Sequence, residues 1–128
     1  MKIEHIAINV PDAQAFAQWY VEHLGLRIVR AQTEAPFITF LADDENETII
    51  EVFSNPLGTY VEYGTMHPVT LHLAFTVADM EAERDRLLAA GAAVESQPSP
   101  AGPGDKLGFV RDPWGIAIQL VQRKQPLV

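Results

Sequence analysis

Apolar and polar residues alternate at the start of the chain. In Ile3-Glu4-His5-Ile6-Ala7-Ile8-Asn9-Val10, the branched residues Ile6, Ile8 and Val10 share one face of an extended strand. His5, Ala7 and Asn9 share the other, because successive side chains in a strand point to opposite faces. The same alternation returns in Thr70-Leu71-His72-Leu73-Ala74-Phe75-Thr76-Val77, with Leu71, Leu73, Phe75 and Val77 on one face and His72, Ala74 and Thr76 opposite. After each strand the period changes to that of a helix. Asp12 and Asp79 are placed as N-caps, where a carboxylate oxygen accepts from a free backbone N–H. The first helix is predicted over about Ala13–Leu24, with Phe16, Trp19 or Tyr20, and His23 or Leu24 at helical spacing. The second spans about Met80–Ala90, with Met80, Leu87 and Leu88 inward and Glu81, Arg84 and Asp85 outward. Gly25 and Gly91 stop the two helices as left-handed residues do. Three further strands follow in each half, the last over about Thr48–Phe53 and Ile116–Val121.

These halves are copies of one unit. The offset is 67 residues for His5 and His72, 66 for Gly25 and Gly91, 69 for Phe40 and Phe109, and 68 for Glu51 and Gln119. A nearly constant offset along the chain indicates a duplicated βαβββ module. The predicted fold class is α+β, with two tandem modules forming a curved mixed sheet around a cleft. Module one covers about residues 1–55, a linker about 54–68, and module two about 69–123, all within a single domain spanning 1–128. The segment Ser96–Gly108 carries three prolines and several glycines and is expected to be an irregular loop, and Arg123–Val128 a short tail.

Composition narrows the function classes. A formal net charge of −8, with no basic stripe, argues against nucleic acid as a partner. No apolar run approaches the roughly 18 residues needed to span a bilayer, so no membrane partner is expected. The N-terminal residues lack the pattern of a signal peptide, which makes the cytoplasm the expected location. The absence of cysteine excludes disulfides and thiolate ligands.

Strand alternation then assembles a set of donors. With the apolar faces packed on the helices, His5 and His72 point to the concave side. Ile50 and Val52 take the core face of their strand and leave Glu51 on the other, while Ile116, Ile118 and Leu120 do the same for Gln119. Four polar side chains thus occupy duplicated positions on faces expected to meet across the pseudo-symmetry axis. Taken singly, each is more often a solvated strand residue; the recurrence in register is what favours a shared site. Imidazole nitrogens with carboxylate and amide oxygens suit one divalent ion such as zinc, nickel, iron, manganese or cobalt. Phe40, Phe53, Phe109 and Trp114 are candidates for the lining of a substrate pocket, each with an equally good role in packing.

Paired βαβββ modules with a His early and a Glu or Gln late in each resemble the vicinal oxygen chelate superfamily, which includes glyoxalases, bleomycin-resistance proteins and extradiol dioxygenases. Asp112-Pro113-Trp114-Gly115, with a ligand position four residues after the Gly, is similar to that family's Asp-Pro-x-Gly turn, and Gly25-Leu26 after Trp19-Tyr20 is typical of it. The resemblance covers essentially the whole chain. It implies His5, Glu51, His72 and Gln119 as metal ligands and, by likeness to bacterial glyoxalase I, a lyase or isomerase (lactoylglutathione lyase-like) acting on a small oxygen-chelating substrate. In that likeness Gln119 stands where a second Glu is expected. Gln carries no ionisable proton, so Glu51 is the candidate catalytic base for proton transfer beside a carbonyl. Two alternatives follow from the same family: a non-haem Fe(II) dioxygenase using His5, His72 and Glu51, and a non-catalytic small-molecule binding or resistance protein. The resemblance also implies a homodimer, with the cleft built within one chain or between two.

Overall fold

The computed structural model describes residues 1–127; Val128, the end of the expected tail, lies outside the described residues. The architecture is α+β. Contacts divide the chain into two compact units, the first Met1–Val61 and the second starting at Glu62.

The first unit runs β1 (Ile6–Asn9), α1 (Ala13–Leu24), β2 (Arg27–Ala31), β3 (Thr39–Ala42) and β4 (Ile49–Phe53). Its sheet has the order β1-β4-β3-β2, with β1 and β4 parallel and the other pairs antiparallel. Asp12 caps α1 as expected, its carboxylate accepting from the Ala15 N–H at 2.9 Å, and Gly25 ends the helix at φ 71°. Phe16 and Tyr20, both fully buried, stack at 4.0 Å between ring centroids. They fill the core with Ile8, Val10, Leu41, Ile50 and Val52.

The second unit opens with a 3₁₀ turn (Tyr63–Thr65) inside the expected linker, followed by β5 (Leu73–Thr76), α2 (Met80–Ala89), β6 (Ala93–Val94), β7 (Ser99–Pro100), β8 (Lys106–Arg111) and β9 (Ala117–Gln122). The sheet order is β5-β9-β8-β6, with β7 also paired to β8. Parallel pairing of β5 with β9 repeats that of β1 with β4. Asp79 caps α2 through the Ala82 N–H at 3.0 Å. Met80, Leu87, Val110, Ile116, Ile118 and Leu120 are buried.

Two expectations change. The Ser96–Gly108 segment is not wholly irregular: Ser99 and Pro100 pair with Leu107 and Lys106, and the Ala101 N–H donates to the Asp105 carbonyl at 3.0 Å. Gly102 and Gly104, at φ 118° and 92°, make the tight return of this hairpin possible. Pro100 is tolerated because β7 is a short peripheral strand. Ile6 and Leu71, expected to pack inward, are 51% and 41% exposed. β1 and β5 are edge strands, with a neighbour on one side only, and these residues lie at or before their open ends.

Gly115 closes the β8–β9 turn at φ 84°, and a Cβ there would stand 2.5 Å from the Gly64 nitrogen and 2.8 Å from its Cα. Gly115→Ala is therefore expected to destabilise the protein by about 2–4 kcal/mol, combining left-handed strain with overpacking. Gly25→Ala meets open space and should cost only the backbone part, about 1 kcal/mol. Urea unfolding midpoints of the two variants test the difference.

Candidate metal centre

In the first unit the sheet register places Glu51 directly beside Ala7 on one side and Phe40 on the other. Residues opposite one another in a ladder project to the same face. His5 stands one residue before β1 and continues the Ala7 face. Its Nε2 lies 3.3 Å from the Glu51 Oε2. The flanking Ile50 and Val52 are buried, and Glu51 is only half-buried, as alternation predicts. The His5 ring rests edge-on against Phe40 at 5.6 Å.

The second unit repeats this layout. Gln119 pairs with Ala74 and with Phe109, and His72 stands one residue before β5. The His72 ring packs edge-on against Phe109 at 5.4 Å, interplanar angle 89°. Each unit thus presents a histidine held against a phenylalanine, which in turn lies across the ladder from the late-strand polar residue. Duplication preserves the phenylalanines as well as the donors, a correspondence visible in the sequence as the 69-residue offset from Phe40 to Phe109.

Hydrogen bonds fix which ring nitrogens face outward. The Pro68 carbonyl lies 2.8 Å from His72 Nδ1 and can only accept, so Nδ1 is the donor of this pair and Nε2 is left for another partner. A ligating histidine usually donates its second N–H to a carbonyl or carboxylate in this way. His5 Nδ1 is bonded to the carboxylate of Glu4, which directs Nε2 toward Glu51. The Glu4 hydrogen bond is the largest influence and, with smaller help from the charges of Glu4 and Glu51, holds the His5 ring above the ordinary imidazole value against the opposing effect of desolvation. Two donors bound to one ion at about 2.1 Å lie roughly 3.0–3.4 Å apart at octahedral or tetrahedral angles, which brackets the His5–Glu51 separation. Among the described residues no group of three or more His, Cys, Asp or Glu side chains gathers as a complete metal-binding cluster. The donors present nevertheless fit a borderline divalent ion in chemistry and, for His5 and Glu51, in spacing.

The sequence profile of the glyoxalase/bleomycin resistance protein/dioxygenase superfamily matches residues 2–120. The chain belongs to this superfamily. It is 30% identical to a probable lactoylglutathione lyase of Vibrio parahaemolyticus, over 97% of this chain and 92% of that protein. It is 32% identical to an ethylmalonyl-CoA/methylmalonyl-CoA epimerase of Cereibacter sphaeroides, over 94% and 97%. Its fold is that of a glyoxalase family protein from Bacillus cereus, with a TM-score of 0.79 at 20% identity, covering 95% of this chain and 93% of the other.

Within this superfamily fold, the remaining candidates fall as follows. Phe53 is half-buried on β4, across from Asn9. Trp114 is half-buried in the β8–β9 turn, where its backbone N–H donates to the Asp112 carboxylate at 2.9 Å, outside the strands. The two histidines without a duplicated counterpart lie outside the candidate set: His23 packs against Trp19 at 5.2 Å in the last turn of α1, and His67 is exposed. Glu4 and the Pro68 carbonyl, the partners that orient the two histidines, were not singled out from the sequence. Glu4 could have been found as a carboxylate adjacent to a candidate ligand. The Pro68 carbonyl carries no side-chain signal at all. Among the described residues, no helix is long and apolar enough to cross a membrane.

Proposed function

We propose that this protein is a metal-dependent enzyme that moves a proton at a carbon next to a carbonyl, acting on a small substrate with two neighbouring oxygens. His5 and Glu51 from one module, with His72 and Gln119 from the other, are its protein ligands for one divalent ion. The observation that carries the reading is the 3.3 Å approach of His5 Nε2 to Glu51 Oε2, with each histidine's second nitrogen occupied by an oxygen acceptor. When bound, the ion would act as a Lewis acid on the substrate oxygens.

The chain's own residues supply the rest. Glu51 is the one carboxylate of the set. It takes the proton from the carbon, the C–H bond breaking as an O–H bond forms on its carboxylate, and returns it to the same or the adjacent carbon. Gln119 contributes an amide oxygen and cannot exchange a proton. Phe40 and Phe109 hold the histidine rings and present apolar surface beside the donors. Both curated relatives support this class. An epimerase inverts a carbon, and in a malonyl thioester that carbon bears an acidic proton beside a carbonyl. A lactoylglutathione lyase handles a 2-hydroxy thioester of comparable chemistry.

Purified protein is expected to carry close to one divalent ion per site by elemental analysis, and its melting temperature should fall on chelation and recover with added zinc, nickel or cobalt. It should also form lactoylglutathione from glutathione and methylglyoxal, or incorporate deuterium at the α-carbon of methylmalonyl-CoA in deuterium oxide. No metal uptake, an unchanged melting temperature and neither reaction would replace this reading with that of a small-molecule binding protein.

A further inference from the structure

The antiparallel pairing of β2 with β3 contains one irregularity. Ile28 lies opposite Leu41, but Arg30, not Val29, is the next registered partner of Phe40. An unbroken ladder would place Val29 opposite Phe40 and Arg30 opposite Thr39, which is buried and on the core face with its partner Val52. The bulge at Val29 therefore turns Arg30 from the core side to the face that carries Phe40 and Glu51. Bulges commonly re-aim a side chain beside a functional site.

The redirected arginine lines a groove of about 260 Å³ together with Glu4, Val29, Phe40 and Ile49. This groove adjoins the His5–Glu51 pair through three of its walls. Glu4 is bonded to His5, Phe40 is packed on the His5 ring and registered opposite Glu51, and Ile49 lies two residues before Glu51 on the same strand face. Glu4 is committed to His5. Among the described residues the Arg30 guanidinium has no hydrogen-bond or ion-pair partner. An unpaired arginine, redirected by a bulge into a groove that it shares with the apolar Val29, Phe40 and Ile49, is equipped to receive a planar anion. In a chain of net charge −8, it also offsets the repulsion that an anionic substrate would otherwise meet.

We propose that Arg30 is a specificity-determining residue that binds a carboxylate of the substrate, so that this protein selects small anionic substrates with a short apolar segment between the carboxylate and the reacting carbon. The proposal deepens the functional reading above and rests on it for the location of the reacting carbon. The carboxylate subsite itself stands on the groove.

The test uses malonate as the anionic probe and malonamide as its neutral counterpart. Each is titrated into the ¹⁵N-labelled full chain, zinc-loaded and chelator-treated, while amide resonances are followed. Malonate should shift Val29, Arg30, Phe40 and Ile49 in both preparations. Arg30→Met should weaken malonate roughly ten- to hundred-fold, Arg30→Lys should recover part of the loss, and malonamide should bind equally to all three proteins. Matching unfolding midpoints for the variants exclude a folding defect. A malonate affinity unchanged in Arg30→Met, or resonance shifts confined to residues away from the groove, overturns the subsite. Arg30-dependent binding in chelator-treated protein that takes up no metal would uphold the subsite and sink the metal-dependent reading. Metal uptake and turnover with an Arg30-independent malonate affinity would do the reverse.

Discussion

Glu51→Gln is expected to lower turnover by roughly 10²–10⁴-fold, the range a positioned general base contributes, while leaving metal content near that of the wild type. The substitution keeps the shape of the side chain and an oxygen atom, and removes the one carboxylate among the four proposed donors. Position 119 already carries a glutamine in the duplicated register, so an amide fits this place in the fold. Ile50 and Val52, which pack the other face of β4, are untouched and the melting temperature should change little. The loss should fall on kcat, because a base acts in the transition state, and leave KM nearly constant. Initial rates on the confirmed substrate, with metal content by elemental analysis and a melting curve, separate the outcomes. Full turnover in Glu51→Gln removes Glu51 as the base. A parallel loss of metal and activity assigns it to metal holding alone. His72→Ala serves as the contrast: it deletes a proposed ligand, so metal content and activity should fall together.

The placement of the candidate residues on their strands was legible because the chain states its pattern twice. A lone histidine in an alternating strand says little, but His5 and His72 recur with their strands, their capping aspartates and their late-strand partners. The structure pairs Ala7 with Glu51 and Ala74 with Gln119, which is the face assignment that alternation required. The α1 boundaries were equally readable, since Asp12 and Gly25 act locally on the helix they delimit. What stayed hidden depends on partners distant in sequence. The bulge at Val29 is a matter of register between β2 and β3, and nothing in Arg27-Ile28-Val29-Arg30 announces it. The exposure of Ile6 and Leu71 follows from the edge positions of β1 and β5, a property of sheet order and not of either strand. The pairing of Ser99 and Pro100 was masked by a composition that reads as loop.

Arg111 was another residue whose importance could not be read from composition, and its replacement is expected to have the largest effect on stability. Only 9% exposed, it donates from Nη1 to the carbonyls of Tyr63 and Gly115, both at 2.9 Å, and from Nη2 to that of Met66 at 2.6 Å. Its Nε donates to Glu95 at 2.7 Å. Arg111→Met keeps the apolar stem but leaves three carbonyls and a carboxylate without this partner. The expected loss is about 3–5 kcal/mol, or on the order of 10–20 °C in melting temperature. The pH dependence identifies the cause. The Arg111 hydrogen bond is the largest influence holding the Glu95 carboxyl below its ordinary value of 4.5. A carboxyl with a lowered pKa in the folded state adds stability that is present above the unfolded value and lost as pH falls through the folded one. The gap between wild type and Arg111→Met should therefore be widest near neutrality and narrow below about pH 4.5, as urea midpoints across that range would reveal. The same substitution reaches the candidate metal centre. Arg111 secures the turn from Tyr63 to Met66, and Pro68, just beyond it, supplies the carbonyl that fixes His72. Loosening that turn should free the His72 ring and weaken metal binding at temperatures where the variant is still folded. On the proposed reading Arg111 is a positioning residue, acting on the proposed ligand His72 through Pro68. A variant whose metal affinity matched the wild type while its stability fell would confine Arg111 to the fold.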